Sequence, residues 1–285
     1  MSPPPCAPRG LNLIIGIYLT MKTHLRKLIS AGNIHYLYEY ERPITRGKNQ
    51  RRIGRAGSLY TSKEIKLENQ RKKASRARKK VMMTANANPE LDKFLTLTYK
   101  ENLTDIGKAR KDFDRFIKRL NHHYNTQLKY IAVVEFQKRG AIHFHLLCNL
   151  PFVKLDELAQ VWSFGFVKLN KIDNIDNVGA YITKYMTKEN IDERLTGKKC
   201  YSMSQNLKKP VVIYDMITRS GYSKIDEILE QLVPVRPLYT VEYESEYLGR
   251  VRYTQIVCAR SRPVLRTSSG ETANFAVVKR PRMIG

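Results

Sequence analysis

Between Phe94 and Lys188 the hydrophobic period of the chain switches repeatedly between two residues and about 3.6, and few topologies accommodate that order. FLTLTY (94–99) alternates β-formers and predicts a strand. Thr104 or Asp105 can cap a helix reaching about Tyr124, in which Ile106, Ala109, Phe113, Phe116, Ile117 and Leu120 keep helical spacing with Lys and Arg opposite. YIAVVEF (130–136) and IHFHLLCNL (142–150) read as two strands joined by the turn QKRGA. LDELAQVW (155–162) reads as a short helix, FGFVKLN (164–170) as a strand, and Asp176 to about Lys188 as a further helix. The order β-α-β-β-α-β-α predicts an α+β fold, a central antiparallel sheet with helices packed on one face.

Three groups of residues in this stretch carry chemistry. His143 and His145 are i and i+2 on a strand, so both imidazoles share one face while Ile142, Phe144 and Leu146 take the other. If Lys138-Arg139-Gly140 forms a three-residue loop with Gly140 left-handed, Glu135 falls opposite His143 and Val133 opposite His145. Cross-strand partners point to the same face, so Glu135 joins the two histidines. Two imidazoles and a carboxylate can hold one divalent ion with coordination positions left open. The other reading of Glu135 is a hydrogen bond to a histidine.

In GAYITKYMTKE (179–189), Tyr181 and Tyr185 lie one helical turn apart, and Lys184 and Lys188 each follow a tyrosine by three residues. Val178, Ile182 and Met186 form an adjacent apolar stripe that would dock on the sheet. Aromatic residues at this spacing are commonly core, but a core stripe does not call for the two lysines. A phenol with a pKa near ~10 is a poor nucleophile at neutral pH. A nearby ammonium or metal ion favours the phenolate.

The rest of the chain bears on the partner. The net charge is +25, and 19 basic against 5 acidic residues fall in 1–90, compared with 16 and 11 in 91–190. Such a surplus points to nucleic acid. Residues 62–83 form either a basic helix or a solvated basic linker. Arg51, Arg52, Arg55, Arg71, Lys72, Lys73, Arg76, Arg78, Lys79 and Lys80 are the expected DNA contacts. Cys6, Cys148, Cys200 and Cys258 contain no CxxC pair, which argues against a zinc ribbon or a disulfide scaffold and suits a reducing cytoplasm. The apolar run 11–20 is too short to cross a bilayer.

FLTLTY, GAIHFHLL and AYITKYMTK, in this order, resemble the three motifs of the HUH endonuclease superfamily, and in particular the two-tyrosine replication initiators of small phages and rolling-circle plasmids. The resemblance spans about residues 92–190. It implies an HUH/RRM-like palm and a division into a basic N-terminal extension (1–90), an endonuclease domain (91–190) and a C-terminal region (191–285) of uncharacterised role. It further implies that Mg²⁺ or Mn²⁺ on Glu135, His143 and His145 polarises a phosphate of single-stranded origin DNA. Tyr181 or Tyr185 would then attack, assisted by Lys184 and Lys188, leaving a 5′-phosphotyrosine and a 3′-OH for the host polymerase. Imidazole ligands would accept Zn²⁺ as well. With no GxxxxGK[ST] loop, unwinding would fall to a host helicase. The rival readings are a two-tyrosine transposase with the same chemistry, a non-catalytic origin-binding protein, and a metal-dependent hydrolase using water.

Overall fold

Two five-stranded antiparallel sheets share one helix between them in the computed structural model, which describes residues 23–45, 63–137, 139–172, 177–186, 199–216, 223–235 and 238–259. Strands β1 (Thr23–Ala31) and β2 (Ile34–Thr45) come first, then the helix α1 (Lys63–Asn86). Next are β3 (Lys93–Tyr99), α2 (Ile106–His123), β4 (Tyr130–Phe136), β5 (Ile142–Cys148), α3 (Leu155–Trp162) and β6 (Gly165–Lys171). The helix α4 (Val178–Thr183) runs into a 3-10 turn (Lys184–Met186). β7 (Tyr201–Met203), β8 (Val211–Met216), α5 (Lys224–Glu230), β9 (Tyr239–Ser245) and β10 (Gly249–Val257) complete the described chain.

The central sheet has the order β6-β3-β5-β4-β7, and its elements lie close to where their periodicity places them. Asp105 caps α2, its carboxylate accepting from Gly107 N at 2.7 Å. Ile106, Ala109, Phe113, Phe116 and Leu120 then point together into the core. Leu95, Leu97, Phe144 and Leu146 meet them from the sheet, around the fully buried Trp162 of α3. The indole N–H, which could not be buried cheaply alone, donates to Thr98 O at 3.1 Å.

Helices cover both faces of this sheet, where the sequence predicts one. Phe94, Ile131, Val133 and Leu147 make the opposite face apolar too, and Val81 and Ala85 of α1 pack there with Val178 and Ile182 of α4. Of the two readings of 62–83, the helix is the one observed. Its thin apolar stripe is explained by its ends: Val81 and Ala85 serve the central sheet, while Met83 and the following Ala87 serve the second sheet. The apolar residues are thus gathered in the last turns, on two sides, instead of spread along one face.

The second sheet has the order β8-β1-β2-β10-β9. Residues 23–45, to which the sequence assigns no strand, pair with β8 and β10. One face is covered by α5 through Ile225, Ile228 and Leu229 against Leu28, Leu37 and Ile213. The predicted helix 176–188 is shorter in α form, changing to 3-10 geometry at Lys184. Asp176 and Lys188 lie outside the described residues.

Candidate active site

The β4–β5 hairpin sets the register of the site. Gly140 has φ +89°, a conformation that suits glycine, and its N–H bonds to Gln137 O at 2.7 Å. Gln137 N donates to Ala141 O at 2.8 Å, so Glu135 pairs with His143 and Val133 with His145. Strand β3 extends the same rows, with Thr98 opposite His143 and Thr96 opposite His145. Edge strand β6 adds Phe166 beside Thr98 and Lys168 beside Thr96. One face of the sheet therefore reads Phe166–Thr98–His143–Glu135 in one row and Lys168–Thr96–His145–Val133 in the next.

Ligand atoms of Glu135, His143 and His145 all lie within 4.8 Å of one another. His145 Nε2 hydrogen-bonds to Glu135 Oε2 at 2.5 Å, and that bond holds the carboxyl below its usual range against the opposing effect of burial. The other ring nitrogen, Nδ1, is 3.2 Å from Thr96 Oγ1. A hydroxyl can donate or accept, so Thr96 suits either tautomer of His145. Burial, then the neighbouring His145, lowers the pKa of His143, keeping the ring neutral around pH 7. Its buried Nε2 has no hydrogen-bond partner among the described residues. A buried ring nitrogen without a partner, beside a carboxylate and a second imidazole, suits a divalent cation by both charge and donor type.

The tyrosine segment is brought onto this same face. Tyr185 stacks on His145 with ring centroids 3.9 Å apart, and Phe94 contacts Tyr181 (5.0 Å) and Tyr185 (5.5 Å). The two tyrosine rings are 6.4 Å apart. Burial, then Tyr181 and Glu135, push the Tyr185 phenol up to about 12, so its protein neighbours alone keep it protonated at neutral pH. Lys184 is exposed, with Nζ 5.3 Å from the Tyr181 ring centroid.

Helix α4 is fixed from outside the sheet. Asn177 caps it by accepting from Ala180 N at 2.8 Å. The buried Asn86, at the end of α1, accepts from Gly179 N at 2.8 Å and donates to Asn177 Oδ1 at 2.9 Å and to Tyr36 Oη at 3.0 Å. One side chain thus ties the tyrosine segment to both α1 and the second sheet. A Cβ on Gly179 would sit 2.1 Å from Met82 O, so only glycine allows this approach.

Of the expected DNA contacts, Arg71, Lys72, Lys73, Arg76, Arg78, Lys79 and Lys80 are exposed on α1, while Arg51, Arg52 and Arg55 lie outside the described residues. Lys79 Nζ sits 4.4 Å from the Tyr38 ring centroid and Lys80 Nζ 6.0 Å from that of Tyr201. Thr96, Phe94 and Asn86 are absent from the residues singled out by sequence. The alternation in FLTLTY could have placed the first two on the histidine face. Nothing local marks Asn86, whose partners lie 50 and 91 positions away.

Residues 92–190 match the model of the replication-associated protein ORF2 family, about a third of the chain. The chain is 28% identical to the phasyl DNA replicon protein arp of Escherichia coli, over 40% of this chain and 50% of that protein, so it spans about half the length of this curated relative. No solved structure matches. No helix among the described residues is long and apolar enough to cross a membrane.

Proposed function

We propose that the protein initiates rolling-circle DNA replication by nicking one strand through a tyrosine nucleophile with the help of a divalent cation. The observation that carries this reading is the placement of Tyr181 and Tyr185 on the face that holds Glu135, His143 and His145, with Tyr185 stacked on His145. The similarity of residues 92–190 to a replication-associated family supports the same reading.

Single-stranded origin DNA is the substrate, and it lies on the histidine face beside Phe166 and Lys168. A cation held by Glu135, His143 and His145, Mg²⁺ or Mn²⁺ in this reading, would polarise the scissile phosphate and draw the tyrosine toward its phenolate. Protons compete for the same ligand atoms, so the neutral state of His143 favours loading. Thr96 fixes the His145 ring by its hydroxyl. The phenolate oxygen of Tyr181 or Tyr185 attacks phosphorus, the P–O3′ bond breaks, and the departing oxygen takes up a proton as a 3′-OH. The 5′ side stays on the enzyme as a phosphotyrosine, which preserves the phosphodiester for rejoining by the second tyrosine. Lys184, beside Tyr181, holds phosphate or phenolate charge, and Lys188 has the corresponding role for Tyr185. The basic residues of α1, with Arg51, Arg52 and Arg55, hold backbone phosphates of the DNA that flanks the cut. A host helicase and polymerase act on the opened strand and the 3′-OH, in the bacterial cytoplasm.

A covalent-adduct gel tests this. Wild type, Tyr181→Phe, Tyr185→Phe, the double variant and His143→Ala are mixed with Mn²⁺ and labelled circular single-stranded DNA of the cognate replicon, then boiled in detergent. Label should stay on the wild type and be lost from the double and histidine variants. Cutting without an adduct, undiminished in the double variant, would point instead to water as the nucleophile.

A further inference from the structure

The second sheet carries its charges in an unusual way. Strand alternation places Glu39, Glu41, Asp215, Glu242 and Glu244, every carboxylate of its five strands, on the face turned toward α5. Arg26 and Arg252 sit there too, paired with Glu39 at 3.5 Å and Glu242 at 2.7 Å. The opposite face instead carries tyrosines on consecutive strands: Tyr40, Tyr253, Tyr239 and Tyr243, beside the more deeply placed Tyr36 and Tyr38. Their rings form a continuous array, with centroids 6.4 Å apart for Tyr38–Tyr40, 5.1 Å for Tyr38–Tyr253 and 6.4 Å for Tyr239–Tyr253.

Helix α1 and the residue after it cover the Tyr36 and Tyr38 end of this array through Met82, Met83 and Ala87, with Tyr40 and Tyr253 half-buried against the same cluster. On edge strand β9, Tyr239 is 61% exposed and Tyr243 47%. Two cations reach the same ring from different elements: Lys27 Nζ at 5.5 Å and Lys79 Nζ at 4.4 Å from the Tyr38 centroid. Lys72, Arg76 and Lys79 follow one another at helical spacing, so α1 continues the positive charge away from the sheet.

We propose that this tyrosine face, with Lys27 and the Lys72–Arg76–Lys79 stripe of α1, is a binding platform for single-stranded DNA separate from the nicking site. Unpaired bases stack on Tyr239, Tyr243, Tyr253 and Tyr40, and the lysines and arginine hold the backbone phosphates. An array with exposed rings at its edge strand and cations over Tyr38 at its covered end, with the carboxylates turned to the other face, suits a polyanion with free π-faces. Duplex DNA offers the anion but keeps its bases stacked on one another. A protein partner of ordinary composition would gain little from flanking cations. The inference rests on the proposed DNA partner but not on the nicking chemistry. It assigns the second sheet the task of holding the strand that flanks the cut.

Fluorescence anisotropy with a labelled oligothymidylate, full-length protein and EDTA tests it. Replacing Tyr239 and Tyr243 together by Ala should weaken binding on the order of ten-fold or more, given about 1–3 kcal/mol for each stacked base. Tyr239→Phe with Tyr243→Phe keeps the rings and should bind like wild type. So should Glu242→Gln, on the opposite face of the same strand. Lys27→Gln with Lys79→Gln should reduce the slope of log affinity against log salt by about 1.4, for two single-strand phosphate contacts. Unchanged binding by the alanine pair overturns the platform. Equal losses for the Phe and Ala pairs overturn stacking. A matched duplex bound as tightly as the single strand, or an alanine pair that alters only self-association, overturns the choice of ligand. EDTA separates the two proposals: wild type that gives no covalent adduct with metal, yet keeps this binding pattern, sinks the nuclease reading and leaves the platform standing.

Discussion

The two sheets have the same number of strands and the same antiparallel pairing, yet they are finished differently. The central sheet has helices on both faces, and Glu135, His143, His145 and Thr96, buried or half-buried, lie together on the face that α4 packs against. The second sheet covers part of one face, around Leu28, Leu37 and Ile213, with a seven-residue helix, and leaves Tyr239 and Tyr243 exposed on the other. Burial on both faces gives the first sheet a rigid frame for charged groups at short distances. A half-covered sheet offers surface instead of a pocket. In the proposed reading, one architecture serves chemistry on its central sheet and binding on the face its second sheet leaves open.

The contrast can be broken by core truncation, where the largest effects are expected. Trp162→Ala removes a fully buried ring that touches Tyr99, Phe116 and Phe144, and should cost about 3–5 kcal/mol in urea unfolding. Ile225→Ala removes the one fully buried residue of α5, whose partners Ile228 and Leu229 are only partly covered, so its cost should lie near the lower end of about 2–5 kcal/mol. Equal costs would contradict the difference in closure.

Asn86 sharpens the comparison, because it is a buried polar link between the halves. Asn86→Ala leaves Gly179 N–H without its acceptor and removes one of two donors to Asn177 Oδ1, and should cost about 1–3 kcal/mol. Nicking should fall further than binding to the tyrosine face, since the start of α4 is what loses support. A variant that loses both equally would mean that the halves act as one unit.

The smallest expected effect is a pH dependence to which the central sheet contributes through His143 and Glu135. His143 is held below its ordinary 6.5 and Glu135 below 4.5, so both groups contribute stability that is present above those values. That contribution is lost as pH falls through the lowered folded values, His143 first and Glu135 after it. Urea midpoints measured across 6.5 should fall toward acid in wild type and less steeply in His143→Gln, where the lowered His35 of β2 still contributes. A midpoint that rises on acidification contradicts the sign.

Much of the central sheet is legible in sequence because its partners are near neighbours along the chain. The β4–β5 register follows from one glycine turn, and with it the meeting of Glu135, His143 and His145. The second sheet is not legible, because Lys27 pairs with Tyr38 close by but also with Tyr214, and β2 finds β10 over two hundred residues on. A basic count along 63–86 could suggest a helix, yet not that its last turns divide between two cores. The change to 3-10 geometry at Lys184 is equally hidden, since the spacing of Tyr181 and Tyr185 fits a continuous helix just as well.

The central claim is that a tyrosine of the α4 segment becomes covalently joined to DNA. Protein incubated with Mn²⁺ and cognate single-stranded circles, digested with nuclease and protease, can be mapped by mass spectrometry for a nucleotide remnant. The remnant is expected on the peptide containing Tyr181 and Tyr185, through a phosphodiester to the 5′ position, and should be lost when both are phenylalanine. A cut strand ending in a free 5′-phosphate, with no remnant on that peptide, would contradict the claim.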